Sequence, residues 1–241
     1  MVQIIYSIIL SYFVLGGIGF YLINRKREWE IAKKSYTKFV SYFFIIHILF
    51  FSIVLKPELF RFLSGAIIFI STIELIKLRK FNEFKQNGFF VVSIVLFAIA
   101  ASGFLVFSTL QWENILFVFL ILSIFDSFSQ ISGQLFGKRK IVPNISPNKT
   151  LGGLVGGTLF AVSSSFLLGD LYQGKSLHTV LLAFGVVVFA FLGDLAASYY
   201  KRRYNVKDFS NWIPGHGGFL DRFDSLIAGG AWSAFYIYLL S

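Results

Sequence analysis

Asp221 and Asp224 stand one helical turn apart, with Arg222 between them. Two carboxylates at i and i+3 can hold one hard divalent cation, or one each of two. Acidic residues at a helix start also serve capping and the helix dipole, and the two uses are compatible. Asp194, Ser198 and Lys201 follow at i, i+4 and i+7 and share a helical face. That set is either part of a polar site or a structural ion pair. Ser123, Asp126, Gln130, Gly133 and Gly137 recur at spacings of three and four, which puts them on one stripe. The stripe is either a seam between packed helices or the wall of a ligand cleft. His216 lies in Pro214-Gly215-His216-Gly217-Gly218, where the glycines let backbone approach a ligand closely. Its imidazole could contact phosphate, act as a base or pack the loop. Three histidines in the whole chain argue against a histidine-based zinc site.

The segment SPNKTLGGLVGG at 146–157 has a second anion-binding character. Ser146 reads as an N-cap and Pro147 as the first helical residue. Lys149 and Thr150 then fall in the first turn, where free amides and the dipole attract anions. Gly152, Gly153, Gly156 and Gly157 clear one helix face for close packing or close ligand approach. A P-loop is excluded, because the Gly-Lys-Thr order and the preceding strand are absent.

The elements that must position these residues are membrane helices. The chain has 241 residues, 22 Lys/Arg against 12 Asp/Glu, and a net charge of +10. It is 56% hydrophobic and only 14% charged, where a soluble domain carries about 25%. Mean hydropathy is +0.73 and the pI about 9.7. A soluble enzyme and a disordered chain are excluded on these grounds. The absence of Cys excludes disulfides, thiolate metal sites and a catalytic thiol. The positive charge sits in short blocks between apolar runs, which suits anionic headgroups and membrane lipids rather than nucleic acid.

A spanning helix needs roughly 20 mostly apolar residues. Eight stretches qualify, at about 2–23, 37–55, 59–76, 89–109, 115–135, 151–170, 178–200 and 222–240. The third carries Arg61 and Glu74 near its ends. Alternate linkers hold 19 of the Lys/Arg residues, Lys85 among them; the others hold only Lys56, Arg61 and Lys175. By the positive-inside rule the basic linkers face the cytoplasm and both termini lie outside. The first stretch has no preceding basic region and exceeds a signal-peptide core, so it reads as a spanning helix. The expected fold is therefore all-α and polytopic, an integral protein of the cell membrane. Residues 1–113, rich in Phe, Ile and Leu, read as scaffold helices. Residues 114–241, with three of the four prolines and the intramembrane Asp residues, read as the catalytic region with its site on the cytoplasmic side.

The run from Ser198 through Lys201-Arg202, Lys207-Asp208, Pro214-Gly-His216-Gly217-Gly218 and Asp221-Arg222-Phe223-Asp224 resembles the signature of the phosphatidate cytidylyltransferase (CDP-diacylglycerol synthase) family. Gly193-Asp194 and Ser146-Pro147-Asn148-Lys149-Thr150 resemble two further elements of that family. The likeness covers roughly 120–230. Gly152 stands where a Glu commonly follows the Lys-Thr pair, and Asp126-Ser-Phe-Ser-Gln130 differs from the commoner Asp-Thr-x-Ala-Tyr run.

The resemblance implies a nucleotidyltransferase of phospholipid biosynthesis. CTP and phosphatidate (1,2-diacyl-sn-glycerol 3-phosphate), or a related lipid phosphate, would give CDP-diacylglycerol and diphosphate. Asp194, Asp221 and Asp224, with Asp126 assisting, would hold Mg²⁺, with room for a second cation. Lys201 joins the first three as catalytic. Ser146, Lys149, Thr150, Ser198, Arg202, Lys207, His216 and Arg222 would bind CTP and phosphate. The family tends to dimerise, and the glycine-rich faces permit a homodimer.

Two other function classes compete. CTP-dependent lipid kinases acting on dolichol, phytol or diacylglycerol resemble the same superfamily but release CDP. A cation- or proton-coupled transporter would use the intramembrane Asp residues as a path, but would need polar residues on the outer halves too.

Overall fold

The computed structural model describes residues 2–81, 87–172 and 174–240. Lys85, counted above among the linker cations, lies outside them. In chain order the elements are α1 (Val2–Asn24), α2 (Trp29–Leu55), α3 (Pro57–Phe81), α4 (Asn87–Phe107) and α5 (Trp112–Phe136). A ribbon of β1 (Lys140–Val142) and β2 (Ser146–Thr150) follows, then α6 (Leu151–Leu167), α7 (Gly169–Tyr172), α8 (Ser176–Arg203) and α9 (Leu220–Leu239). Each of the eight apolar stretches coincides with a helix. Six of these, α1 to α5 and α8, are long and apolar enough to cross a membrane. The chain is thus a helical, polytopic membrane protein. Helix α6 has only 17 residues, and α9 opens on Asp221, Arg222 and Asp224.

The fold is helical as expected, apart from a short ribbon in which β1 and β2 pair antiparallel, with Lys140 opposite Thr150 and Val142 opposite Ser146. Ser146 and Pro147 accordingly do not start a helix. The residue before a proline is pushed out of the α region, which favours extended backbone at Ser146. The N-cap of α6 is Thr150, whose Oγ1 accepts from the Gly153 amide at 3.1 Å. Lys149 therefore sits on the strand, not in the first helical turn.

Helix α5 forms the centre. Residues 115–122 are buried on every side of the helix, and α2, α6, α8 and α9 all pack on it. The α5–α6 contact is made by the small residues flagged above. A Cβ on Gly157 would overlap Ser129 Oγ and lie 2.9 Å from the Phe125 carbonyl. One on Gly153 would lie 2.7 Å from the Ser129 carbonyl. These glycines serve helix packing. The same device brings α8 against α9, where a Cβ on Gly193 would lie 2.8 Å from the Asp224 carbonyl. That close approach sets Asp194 beside Asp224.

Gly157→Ala should destabilise the protein by about 1–3 kcal/mol through overpacking. Gly169→Ala, where a Cβ meets nothing within 4 Å, should leave stability nearly unchanged. Thermal unfolding of the two purified variants in detergent checks the contrast.

Candidate functional site

Helix α8 delivers its polar face near its C-terminal end. Ser198 Oγ donates to Asp194 Oδ1 at 3.2 Å, and Lys149 Nζ pairs with Asp194 Oδ2 at 2.6 Å. Lys149 reaches across from β2 and also lies 4.5 Å above the Phe191 ring. One turn beyond Ser198, Lys201 pairs with Asp221 Oδ1 at 2.5 Å, with the two side chains only 10% and 3% exposed. A buried pair of this kind needs every remaining polar atom satisfied. Asp221 Oδ2 meets that need by accepting from the amides of Phe209 and Gly218, both at 2.8 Å. Both carboxylate oxygens of Asp221 are therefore engaged by the chain itself.

Asp224 is buried, and its Oδ1 accepts from the Ser225 amide at 2.6 Å. Asp126 on α5 is exposed, and among the described residues no hydrogen bond or ion pair engages it. Asp194 lies within electrostatic reach of both Asp126 and Asp224, with Lys149 the cation common to them. Carboxylates from α5, α8 and α9 thus lie within electrostatic reach of Lys149, which pairs directly with Asp194. Among the described residues, no three His, Cys, Asp or Glu side chains converge closely enough to hold one ion by themselves. Magnesium seldom needs such a cage: it usually takes one or two carboxylates plus water and substrate phosphate oxygens. The oxygen-only set of Asp126, Asp194 and Asp224 fits a hard cation bound in that way.

Other predicted residues have structural partners. Arg202 Nε donates to the Ile145 carbonyl at 3.1 Å and Nη1 to the Val206 carbonyl at 2.8 Å, so it ties the ribbon turn to the end of α8. Ser146 lies in the ribbon and Thr150 caps α6. Lys207 is exposed on the 204–219 segment. The His216 amide donates to the Ile213 carbonyl at 2.9 Å, and Arg222 Nε donates to the His216 carbonyl at 3.0 Å. Burial, and then the nearby Arg222 cation, hold the His216 imidazole below its ordinary value. It is therefore neutral at pH 7. Gly215 and Gly217 adopt φ of +75° and +83°, the left-handed conformations that glycine takes without strain.

Glu74 on α3 emerges as a site-building residue that the sequence pattern left unassigned. It is 1% exposed. Its Oε1 accepts from Ser210 Oγ at 2.6 Å and the Phe219 amide at 3.0 Å, and its Oε2 accepts from the Leu220 amide at 2.8 Å. Phe219, the N-cap residue of α9, makes no side-chain cap. Glu74 supplies the cap from another helix and complements the dipole. The available signal was a lone carboxylate inside an otherwise apolar stretch of α3.

Comparison with known proteins adds an independent line. Residues 106–240 match the model of the cytidylyltransferase family. The chain is 38% identical over 125 residues to the phosphatidate cytidylyltransferase of Rickettsia bellii, covering 48% of this chain and 54% of that protein. It is 40% identical over 136 residues to the Haemophilus influenzae protein of the same name, covering 52% and 46%. The match to the Bacillus subtilis phosphatidate cytidylyltransferase is 28% over 242 residues, covering 92% and 90%. The first two alignments thus span about half the length of those relatives.

Glu74→Gln replaces one acceptor by a donor facing buried amides. It should cost about 1–3 kcal/mol, the usual penalty for an unsatisfied buried group. A lowered thermal midpoint checks it, with Glu58→Gln at the far end of α3 as the comparison.

Proposed function

From the premise that the chain belongs to the cytidylyltransferase family, we propose that it transfers the cytidylyl group of CTP to phosphatidate. The products are CDP-diacylglycerol and diphosphate. The observation that carries this reading is the Lys149–Asp194 pair, with Asp126 and Asp224 within its electrostatic reach and Asp194 on the same helix α8 as Lys201 of the Lys201–Asp221 pair. The relatives named phosphatidate cytidylyltransferase supply the choice of lipid.

The reaction needs little covalent work from the protein. A phosphate monoester is largely ionised at neutral pH, since its second pKa is about 6. A lipid phosphate oxygen attacks the α-phosphorus of CTP. The new O–P bond forms as the bond to the β-phosphate oxygen breaks and diphosphate leaves. Both partners are anionic, so catalysis consists of alignment and charge neutralisation. No general base is required, and His216 is not given that role. Lys149 faces the carboxylate cluster and is the cation best placed to follow phosphate oxygens as charge moves to the leaving group. Lys201 is held by Asp221 and keeps the 204–219 segment in register. Lys207 and Arg222 are exposed cations at the rim. A bound Mg²⁺ would screen the phosphates from the carboxylates and from each other. Asp126, Asp194 and Asp224 are the residues that would hold it.

The positive-inside pattern supports eight spans with both termini outside. It also supports a site on the cytoplasmic side, where CTP is available. The basic ribbon carrying Lys149 and the segment carrying Lys207 then lie on one face.

Purified protein given CTP, phosphatidate and Mg²⁺ should release diphosphate and form CDP-diacylglycerol, and chelation should stop both. Release of CDP instead would mark a lipid kinase, and no product at all would end the reading. Asp194→Asn should cut turnover at least ~10²-fold, about 2.7 kcal/mol of barrier, with the thermal midpoint retained. Asp221→Asn should lose turnover together with thermal stability, because Lys201 loses its buried partner.

A further inference from the structure

Helix α2 lies outside the region matched by the family model, yet it docks on the loop that carries His216. Ser41 Oγ donates to the Pro214 carbonyl at 2.9 Å. A Cβ on Gly215 would lie 2.9 Å from Lys38 Cγ and 3.4 Å from the Lys38 amide nitrogen. The Tyr42 and His216 rings stack with centroids 6.4 Å apart and planes at 24°. The His216 carbonyl in turn accepts from Arg222. Lys38 and Tyr42 are one turn apart on α2, so they share the face that meets this loop.

The charges on that face are not balanced by the protein. Lys38 and Arg222 are both exposed, and among the described residues no carboxylate pairs with either. Both cations act on the His216 ring between them. The Tyr42 phenol lies within electrostatic reach of Arg222 and of Asp126, which links this face to the carboxylates. Two unpaired cations, a phenol and a neutral imidazole around one loop make a receptor for a compact dianion. Lys38 stands at the edge of the apolar part of α2. Lys149, by contrast, comes from the ribbon and pairs with Asp194.

We infer that Lys38 and Tyr42 of α2, together with Arg222, bind the phosphate monoester of the lipid substrate. This rests on the lipid-phosphate reading above and extends it to residues of the N-terminal half. The lysine and arginine neutralise the monoester. The tyrosine hydroxyl donates to one of its oxygens. Docking of Ser41 on Pro214 keeps α2 in register with Arg222.

Two measurements on the full-length protein in detergent test it. The first titrates nucleotide-free protein with dioctanoyl phosphatidate and follows the thermal midpoint, so it needs no turnover. Wild type should be stabilised by phosphatidate and not by dioctanoyl phosphatidylcholine, whose phosphate is a diester. Lys38→Gln and Tyr42→Phe should each need about tenfold more phosphatidate, as expected for losing one hydrogen bond to a charged group, and Lys38→Arg should restore the response. The second measures steady-state rates, where the same variants should raise the KM for phosphatidate and leave the KM for CTP unchanged. An unaltered titration in Lys38→Gln overturns the inference. An effect on CTP instead, or equal stabilisation by inorganic phosphate, also overturns it by removing the lipid. A wild type that binds phosphatidate through Lys38 but makes no CDP-lipid would sink the proposed reaction and leave this subsite standing.

Discussion

The buried Lys201–Asp221 pair is the constraint on which the site depends. Taking both charges out of water is costly unless the geometry satisfies every remaining lone pair and proton. Here Asp221 spends its second oxygen on the amides of Phe209 and Gly218, and Lys201 lies over the Phe209 ring at 5.3 Å. The end of α8, the 204–219 segment and the start of α9 are thereby fixed to one another. Asp194 lies two turns before Lys201 on α8, and Asp224 one turn after Asp221 on α9. Locking the pair fixes the separation of those two carboxylates as well.

Glu74 performs the same task from a different direction. Its carboxylate binds Ser210 and the first amides of α9, so α3 anchors the segment that α8 anchors through Lys201. Tyr200 strengthens the link by donating to the Leu75 carbonyl at 2.9 Å. Helix α2 adds a third anchor through Ser41 and Pro214. The half of the chain read as scaffold thus holds the site loop by polar contacts as well as by apolar packing. Such anchoring suits a chemistry of alignment and charge, in which small misplacements of phosphate-binding groups are costly.

The glycines divide the work in a way that composition could not reveal. Those of α6 serve its approach to α5, while Gly193 serves the α8–α9 approach beside Asp194 and Asp224. Gly152 belongs to the first group, since a Cβ there would lie 2.7 Å from the Phe136 carbonyl. The absence of a Glu at that position follows from how closely α6 crosses the end of α5.

Much was legible in the sequence because the signals were local or periodic. Apolar length marked all eight long helices, and helical spacing put Asp194, Ser198 and Lys201 on one face, where the Asp194–Ser198 hydrogen bond forms. The i, i+3 relation of Asp221 and Asp224 likewise placed both at the start of α9. What it could not assign were choices between partners distant in the chain. Helical spacing allowed Lys201 to answer Asp194, but the partner it takes is Asp221, and Lys149 takes Asp194. The Ser146-Pro147 pattern satisfied a helix start locally, but pairing with β1 competed for the same backbone and won. Glu74 read as an awkward charge in an apolar stretch until the amides of α9, 145 residues and more away, were brought to it. Residue order by itself determined which segments are helices and which polar groups those helices must bury or gather. Only tertiary structure decided which carboxylate meets a cation, which meets an amide and which stays free, because in a membrane-embedded chain those groups must satisfy one another across helices where water cannot.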